Sequence, residues 1–71
     1  MSRFSKNNFI RIIREIEEME QNGENIWVPI GILEIMYDDD CAWIDEYFNI
    51  IPALRDVNIL WNKIQMHLIE R

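Results

Sequence analysis

The clearest pattern of apolar and polar positions lies in residues 5–21. Apolar side chains recur there at the i, i+3, i+4 and i+7 spacing of one helix face, at Phe9, Ile12, Ile13, Ile16 and Met19. Ser5 is a typical helix N-cap, and Gly23 stands where a left-handed residue often ends a helix. The pattern predicts an amphipathic helix over this stretch.

The pattern in residues 25–39 is ambiguous. Ile26, Trp27 and Val28 are residue types common in strands, and Pro29 either opens a helix in its first turn or interrupts a strand. We interpret 26–28 as extended and predict a short helix over 29–37, weakened by Gly31. The alternative is a short strand or hairpin arm over 26–35.

A third helix is predicted over residues 41–50. Asp38, Asp39 and Asp40 precede it and are candidates for its N-cap, because carboxylates accept hydrogen bonds from free backbone N–H groups at a helix start. The apolar residues expected to be buried by this helix are Ile44, Tyr47, Phe48 and Ile51. Pro52 ends it and can begin the next.

The last predicted helix covers residues 52–69. Its apolar residues follow the 3-4-3-4 spacing of a packed seam at Leu54, Val57, Trp61, Ile64 and Leu68. Ile59, Met66 and Ile69 lie on the far side of the same helix. A helix that is apolar on two faces is usually packed between two neighbours. These three residues are therefore predicted to dock a second copy of the chain or another protein.

Together these elements predict an all-α fold, a single domain formed by a small bundle of about four short helices. The chain has 71 residues, of which 49% are hydrophobic. A domain of this size has little interior and cannot bury all of these residues. The high apolar content therefore indicates either self-association or an exposed patch that binds a partner. We favour self-association.

The charge is concentrated in the middle of the chain. The net charge is −6, and residues 15–54 contain eleven carboxylates and no lysine or arginine. Such a surface would attract cations and repel phosphates, so direct binding to nucleic acid or to an anionic membrane surface is not expected. The apolar runs are shorter than the ~18 residues of a membrane span, and the N-terminus lacks the core of a signal peptide. With one cysteine, Cys41, a cytoplasmic protein is expected.

The sequence gives little support for a catalytic or metal site. Asp38, Asp39 and Asp40 could hold a hard cation together with Asp45 or Glu46, but the alternating ligands and the glycine of a calcium loop are missing. Capping and solvated charge explain these aspartates better. Cys41 is interpreted as a small buried residue. His67 has no nucleophile or orienting carboxylate near it in sequence. No metal, no cofactor and no enzymatic activity are predicted.

Aromatic residues among the acids are the remaining signal. The predicted partner-binding set is Glu34, Asp38, Asp39, Asp40, Trp43, Asp45 and Glu46. Aromatic side chains anchor interfaces, and a charged rim speeds the encounter with an oppositely charged surface. We therefore expect an inhibitor or adaptor that occludes the basic, nucleic-acid-handling site of a partner protein. Immunity proteins, antitoxins and phage anti-restriction or anti-CRISPR proteins share this physical character.

The sequence leaves two alternatives open. The chain could form an oligomer that holds a small anionic ligand, such as a nucleotide, between subunits. The bases available for that role are Arg3, Lys6, Arg11, Arg14, Arg55 and Lys63. It could also be a structural subunit of a larger assembly, docked through Ile59, Met66 and Ile69.

Overall fold

The computed structural model describes residues 5–37 and 42–70, with side chains described as far as residue 66. Its elements are α1 (Lys6–Gln21), α2 (Trp27–Tyr37), α3 (Trp43–Asn49), a short 3-10 helix (Pro52–Leu54) and α4 (Val57–Glu70). These ranges contain no strand, so the alternative strand over 26–35 is wrong. The prediction of an all-α bundle of about four helices is confirmed.

Helix α1 begins and ends as the sequence predicts. The Ser5 hydroxyl accepts a hydrogen bond from the backbone N–H of Asn8 at 3.3 Å. At the other end Gly23 has φ +77°, and the backbone N–H of Glu24 reaches back to the carbonyl of Met19 at 3.0 Å. This is the hydrogen-bond pattern of a Schellman motif, which satisfies carbonyls that the helix end leaves unpaired.

Helix α2 starts earlier than predicted. Trp27 and Val28 are helical, so the extended interpretation of 26–28 is wrong for these two residues. The Asn25 side-chain oxygen accepts a hydrogen bond from the Trp27 N–H at 3.0 Å. Pro29 then lies in the first turn, where its missing N–H has no intrahelical partner to lose. The helix therefore tolerates Pro29 at its third residue, although a proline is equally compatible with the first residue of a helix.

Helix α3 is shorter than the predicted 41–50. Ala42 occupies its N-cap position and makes no side-chain capping bond, so the prediction of an aspartate cap is wrong. Asp38, Asp39, Asp40 and Cys41 themselves lie outside the described residues. Ile51, expected in the core, is exposed. It follows the end of the helix, where Ile50 is already extended.

The predicted helix over 52–69 is divided in two. Pro52–Leu54 forms a single 3-10 turn, and the chain is extended at Arg55 before α4 begins. The Asp56 carboxylate accepts hydrogen bonds from the N–H groups of Asn58 at 3.0 Å and Ile59 at 3.4 Å, which makes it the cap of α4. Leu54 is therefore exposed on the turn and does not belong to the packed seam.

The core draws on all four α-helices. Its buried apolar side chains are Phe9, Ile13 and Ile16 of α1, Ile30, Leu33 and Tyr37 of α2, Ile44, Tyr47 and Phe48 of α3, Leu60, Trp61 and Ile64 of α4, and Ile26 before α2. Helix α4 packs against both α1 and α3, and α2 packs mainly against α3. Three of the predicted seam residues lie here or at the edge, since Trp61 and Ile64 are buried and Val57 is half-buried. The side chains of His67, Leu68 and Ile69 lie outside the described part.

Phe9 is the centre of this core. Its ring centroid lies 5.1 Å from that of Tyr37 and 5.2 Å from that of Trp61. These separations fall within the range of favourable aromatic pairs. One side chain of α1 thus contacts both α2 and α4.

Candidate protein-binding surface

Helix α2 is apolar on both sides. Its eleven residues include a single charged one, Glu34. One side buries Ile30, Leu33 and Tyr37 in the core. A helix of this composition would normally be covered on its other side as well.

The other side of α2 faces solvent. Its exposed apolar side chains are Trp27, Val28, Ile32, Ile35 and Met36, and we call this set the outer face of α2. Ile35 is 82% exposed, the most open of the large apolar side chains of the described residues. Contiguous apolar surface of this kind marks interaction sites on soluble proteins. None of the five belongs to the partner-binding set predicted from the sequence.

A groove runs along the inner edge of this face, between α1 and α2. It encloses about 200 Å³. Its lining residues are Ile12, Glu15, Ile16 and Met19 of α1 and Pro29, Ile32, Leu33 and Met36 of α2. Glu15 is the one charged residue among them, and it is paired with Arg11 at 3.3 Å at the exposed edge.

The predicted acidic set is only partly at the surface. Glu34 is half-buried and interacts within the molecule. Asp45 is half-buried, and Glu46 is exposed with its carboxylate 3.7 Å from the Lys63 ammonium. Asp38, Asp39 and Asp40 lie outside the described residues. Asp45 and Glu46 are consecutive on α3 and do not share a face of the helix, and Glu46 is the one exposed carboxylate of this set among the described residues.

Trp43, the predicted aromatic anchor, is half-buried beside Lys63. The Lys63 ammonium lies 5.2 Å from the centre of its ring, within the range of a cation–π contact. Its indole Nε1 is buried and has no acceptor among the described residues. Trp43 also lines a second hollow of about 110 Å³ between α3 and α4, together with Ile50, Leu54 and Ile59.

Two of the three predicted docking residues of α4 are exposed. Ile59 and Met66 are each more than half open to solvent, and Lys63 lies between them on the same side of the helix. The side chain of Ile69 lies outside the described part. Docking through these residues stays a prediction.

Arg55 forms ion pairs within the molecule with two of the carboxylates of residues 15–54, Glu17 and Glu20. Its guanidinium donates to both carboxylate oxygens of Glu20 at 2.8 and 2.9 Å, and to Glu17 at 3.3 Å. It also donates to the backbone carbonyls of Phe48 and Ile50. The hydrogen bonds from Arg55 lower the pKa of Glu20, and those to Glu20 raise the pKa of Arg55. Glu17 and Glu20 are therefore not available as bare surface charges.

Tyr47 belongs to the same cluster. Its hydroxyl donates to Glu17 at 3.0 Å. Burial raises the pKa of the Tyr47 phenol, and the hydrogen bond to the Glu17 carboxylate raises it further. The hydroxyl therefore stays protonated and available as a donor throughout the neutral range.

Pairing within the molecule also affects the anion-binding alternative. Four of the bases named for that role lie beside carboxylates: Arg11 with Glu15, Arg14 with Glu17, Arg55 with Glu17 and Glu20, and Lys63 with Glu46. Arg55 is the least accessible, with 2% of its side chain exposed. Within a single molecule, these four bases of the described residues do not form a cationic pocket.

Comparisons of the chain with protein-family models, with curated proteins and with solved structures gave no match. Among the described residues no helix has the length and apolar character needed to cross a bilayer. In the same ranges no group of three or more His, Cys, Asp or Glu side chains is arranged to hold a metal ion.

Proposed function

We propose that this protein is a small acidic inhibitor or adaptor that binds a partner protein and occludes a basic site on it. The single observation that supports this proposal is the outer face of α2. Five large apolar side chains lie open to solvent there, on a stretch of chain without lysine or arginine.

Burial of this face would supply the binding energy. Covering one large apolar side chain contributes about 1.5–3 kcal/mol before the costs of association. Trp27 and Met36 are residue types enriched in the cores of interfaces. A partner that covers the whole face would bury several such side chains at once, which is the composition of an interface hot spot.

The charges select the partner. Glu18 and Glu24 are exposed and make no ion pair with the bases of the described residues. With a net charge of −6, the protein is attracted to a basic surface and repelled by an acidic one. Nucleic-acid-handling sites carry such basic surfaces, so a cytoplasmic role in blocking one, of the immunity, antitoxin or anti-defence kind, follows from the proposal.

An affinity pull-down from the native host tests this proposal. The tagged protein is compared with two matched variants, Ile35→Gln on α2 and Ile59→Gln on α4. Both replace an exposed isoleucine by the same polar residue on a helix. We expect a partner with a basic site to be retained by the wild type and by Ile59→Gln, and to be lost or strongly reduced with Ile35→Gln.

The opposite pattern would contradict the proposal. Retention that depends on Ile59 and not on Ile35 would favour the structural-subunit alternative, with docking through α4. Retention that does not fall as the salt concentration rises, or a partner with an acidic surface, would show that charge attraction does not select the partner. Blocking of the partner's nucleic-acid binding by the wild-type protein distinguishes an inhibitor from an adaptor.

A further inference from the structure

The groove between α1 and α2 is lined in a way that could accept a helix. Ile12, Ile16 and Met19 line it from α1, at i, i+4 and i+7. Pro29, Ile32, Leu33 and Met36 line it from α2, at i, i+3, i+4 and i+7. Each wall is therefore a helical ridge of apolar side chains about 10 Å long, two turns of helix. A third helix packs into such a channel by inserting its own ridge between the two.

The charge around the groove narrows the choice of occupant. Glu15 stands at its edge in an ion pair with Arg11 at 3.3 Å, and Glu18 is exposed on the next turn of α1 and makes no ion pair with a base of the described residues. Between residues 15 and 54 the chain has no base at all. Self-association, which the composition favours, is opposed at this groove because a second copy would bring the same net charge of −6. A helix with lysine or arginine beside its apolar stripe complements both the shape and the charge.

We propose that this groove binds a basic amphipathic helix of the partner protein. The helix inserts apolar side chains spaced at i, i+3 or i+4, and i+7, and its flanking bases lie toward the acids of α1. This mode is the helix-in-groove recognition seen where an amphipathic segment meets an apolar channel. The inference rests on the proposed function and names the part of the partner that enters the interface.

A designed peptide tests the groove without knowledge of the partner. The probe is a fluorescein-labelled peptide of about fifteen residues with leucines on one helical face and lysines on either side. One control peptide has the same residues reordered so that the leucines no longer share a face. The other keeps the leucines and replaces the lysines by glutamates. Binding is measured by fluorescence anisotropy at two salt concentrations.

Two variants of α2 locate the site. Ile32→Gln changes a residue that lines the groove, and Ile35→Gln changes one that belongs to the outer face but does not line it. We expect Ile32→Gln to weaken binding of the basic peptide about tenfold and Ile35→Gln to change it less than about threefold. Circular dichroism confirms that each variant is folded, and Met36→Gln serves as a second groove variant.

Three results would overturn the inference. Equal binding of the reordered peptide, or of the glutamate peptide, would show that neither the helical face nor the charge is read. Equal loss in Ile32→Gln and Ile35→Gln would place the peptide on the outer face outside the groove. A dimer of the free protein in sedimentation, abolished by Ile32→Gln, would show that a second copy fills the groove. A host partner whose retention still requires Ile35 would leave the proposed function standing after any of these.

Discussion

Arg55 and Glu20 form a two-bond ion pair across the fold. The two terminal nitrogens of the guanidinium donate one hydrogen bond each to the two oxygens of the Glu20 carboxylate, at 2.8 and 2.9 Å. The residues are 35 positions apart and join the end of α1 to the segment that leads into α4. The remaining donors of Arg55 bind Glu17 and the carbonyls at the end of α3. This single side chain thus ties three elements together.

Replacing Arg55 should destabilise the protein strongly. In Arg55→Gln two carboxylates and two carbonyls lose a donor that is nearly fully buried, so we expect a loss of about 2–4 kcal/mol in the free energy of unfolding. Arg55→Lys should recover only part of it, because an ammonium cannot make the two parallel bonds. Urea denaturation at neutral pH measures both variants.

Arg11→Gln is the matched control for this prediction. The Arg11–Glu15 pair joins two side chains that are each more than 60% exposed, so its removal should change the free energy of unfolding by less than about 0.5 kcal/mol. If Arg55→Gln were as mild as Arg11→Gln, the buried ion pair would have no structural role.

Stability should fall in acid because of the same pair. The hydrogen bonds from Arg55 lower the pKa of Glu20 in the folded protein below its ordinary value of about 4.5. The ionised carboxylate therefore stabilises the fold fully above that value, and this contribution is lost as the pH falls through the lower, folded pKa. Denaturation curves between neutral pH and pH ~3 should show a smaller acid loss in Glu20→Gln than in the wild type. The control Glu24→Gln should keep the wild-type dependence; an equal reduction there would contradict the assignment.

The core should be sensitive to truncation at Phe9. Phe9→Ala removes a fully buried ring that contacts the rings of Tyr37 and Trp61, and we expect a loss of about 3–5 kcal/mol. A domain this small has about that much stability in total, so the variant should be largely unfolded by near-ultraviolet circular dichroism. Ile35→Ala, on the outer face of α2, should remain folded with a native melting temperature. An unfolded Ile35→Ala would show that this face is covered in the native protein.

The cap of α4 gives a further prediction. Asp56→Ala leaves the N–H groups of Asn58 and Ile59 without an acceptor, and we expect about 0.5–2 kcal/mol of destabilisation. Asp56→Ser should retain most of the stability, since a hydroxyl can accept the same bonds. Thermal denaturation separates the two, and equal loss in both would argue that Asp56 acts through its charge alone.

The sequence predicts well where a helix has a clear apolar stripe and clear end signals. Helix α1 is the example, because Ser5 and Gly23 mark its ends and its stripe has the helical period. The predicted start of the last helix at Pro52 is too early, for a local reason. Pro52 is a good first residue for a helix, but the Asp56 side chain competes by capping a helix that starts at Val57.

The sequence could not predict which side of α2 the core would cover. With one charged residue in eleven, its pattern contains no polar face to assign to solvent. Its composition was the available signal: a short helix apolar all round, in a chain too small to surround it, must leave a side exposed. Nor could sequence find the Arg55–Glu20 pair, because partners so far apart along the chain are set by the packing of α1 against the later helices.

We propose above that the outer face of α2 and the groove beside it form the protein-binding surface. Hydrogen–deuterium exchange tests this proposal most directly. The purified complex with the partner retained in the pull-down is compared with the free protein. We predict that added protection is confined to α2 and to the facing side of α1, with α4 unchanged. Protection of α4 around Ile59 and Met66, with none in α2, would contradict the account.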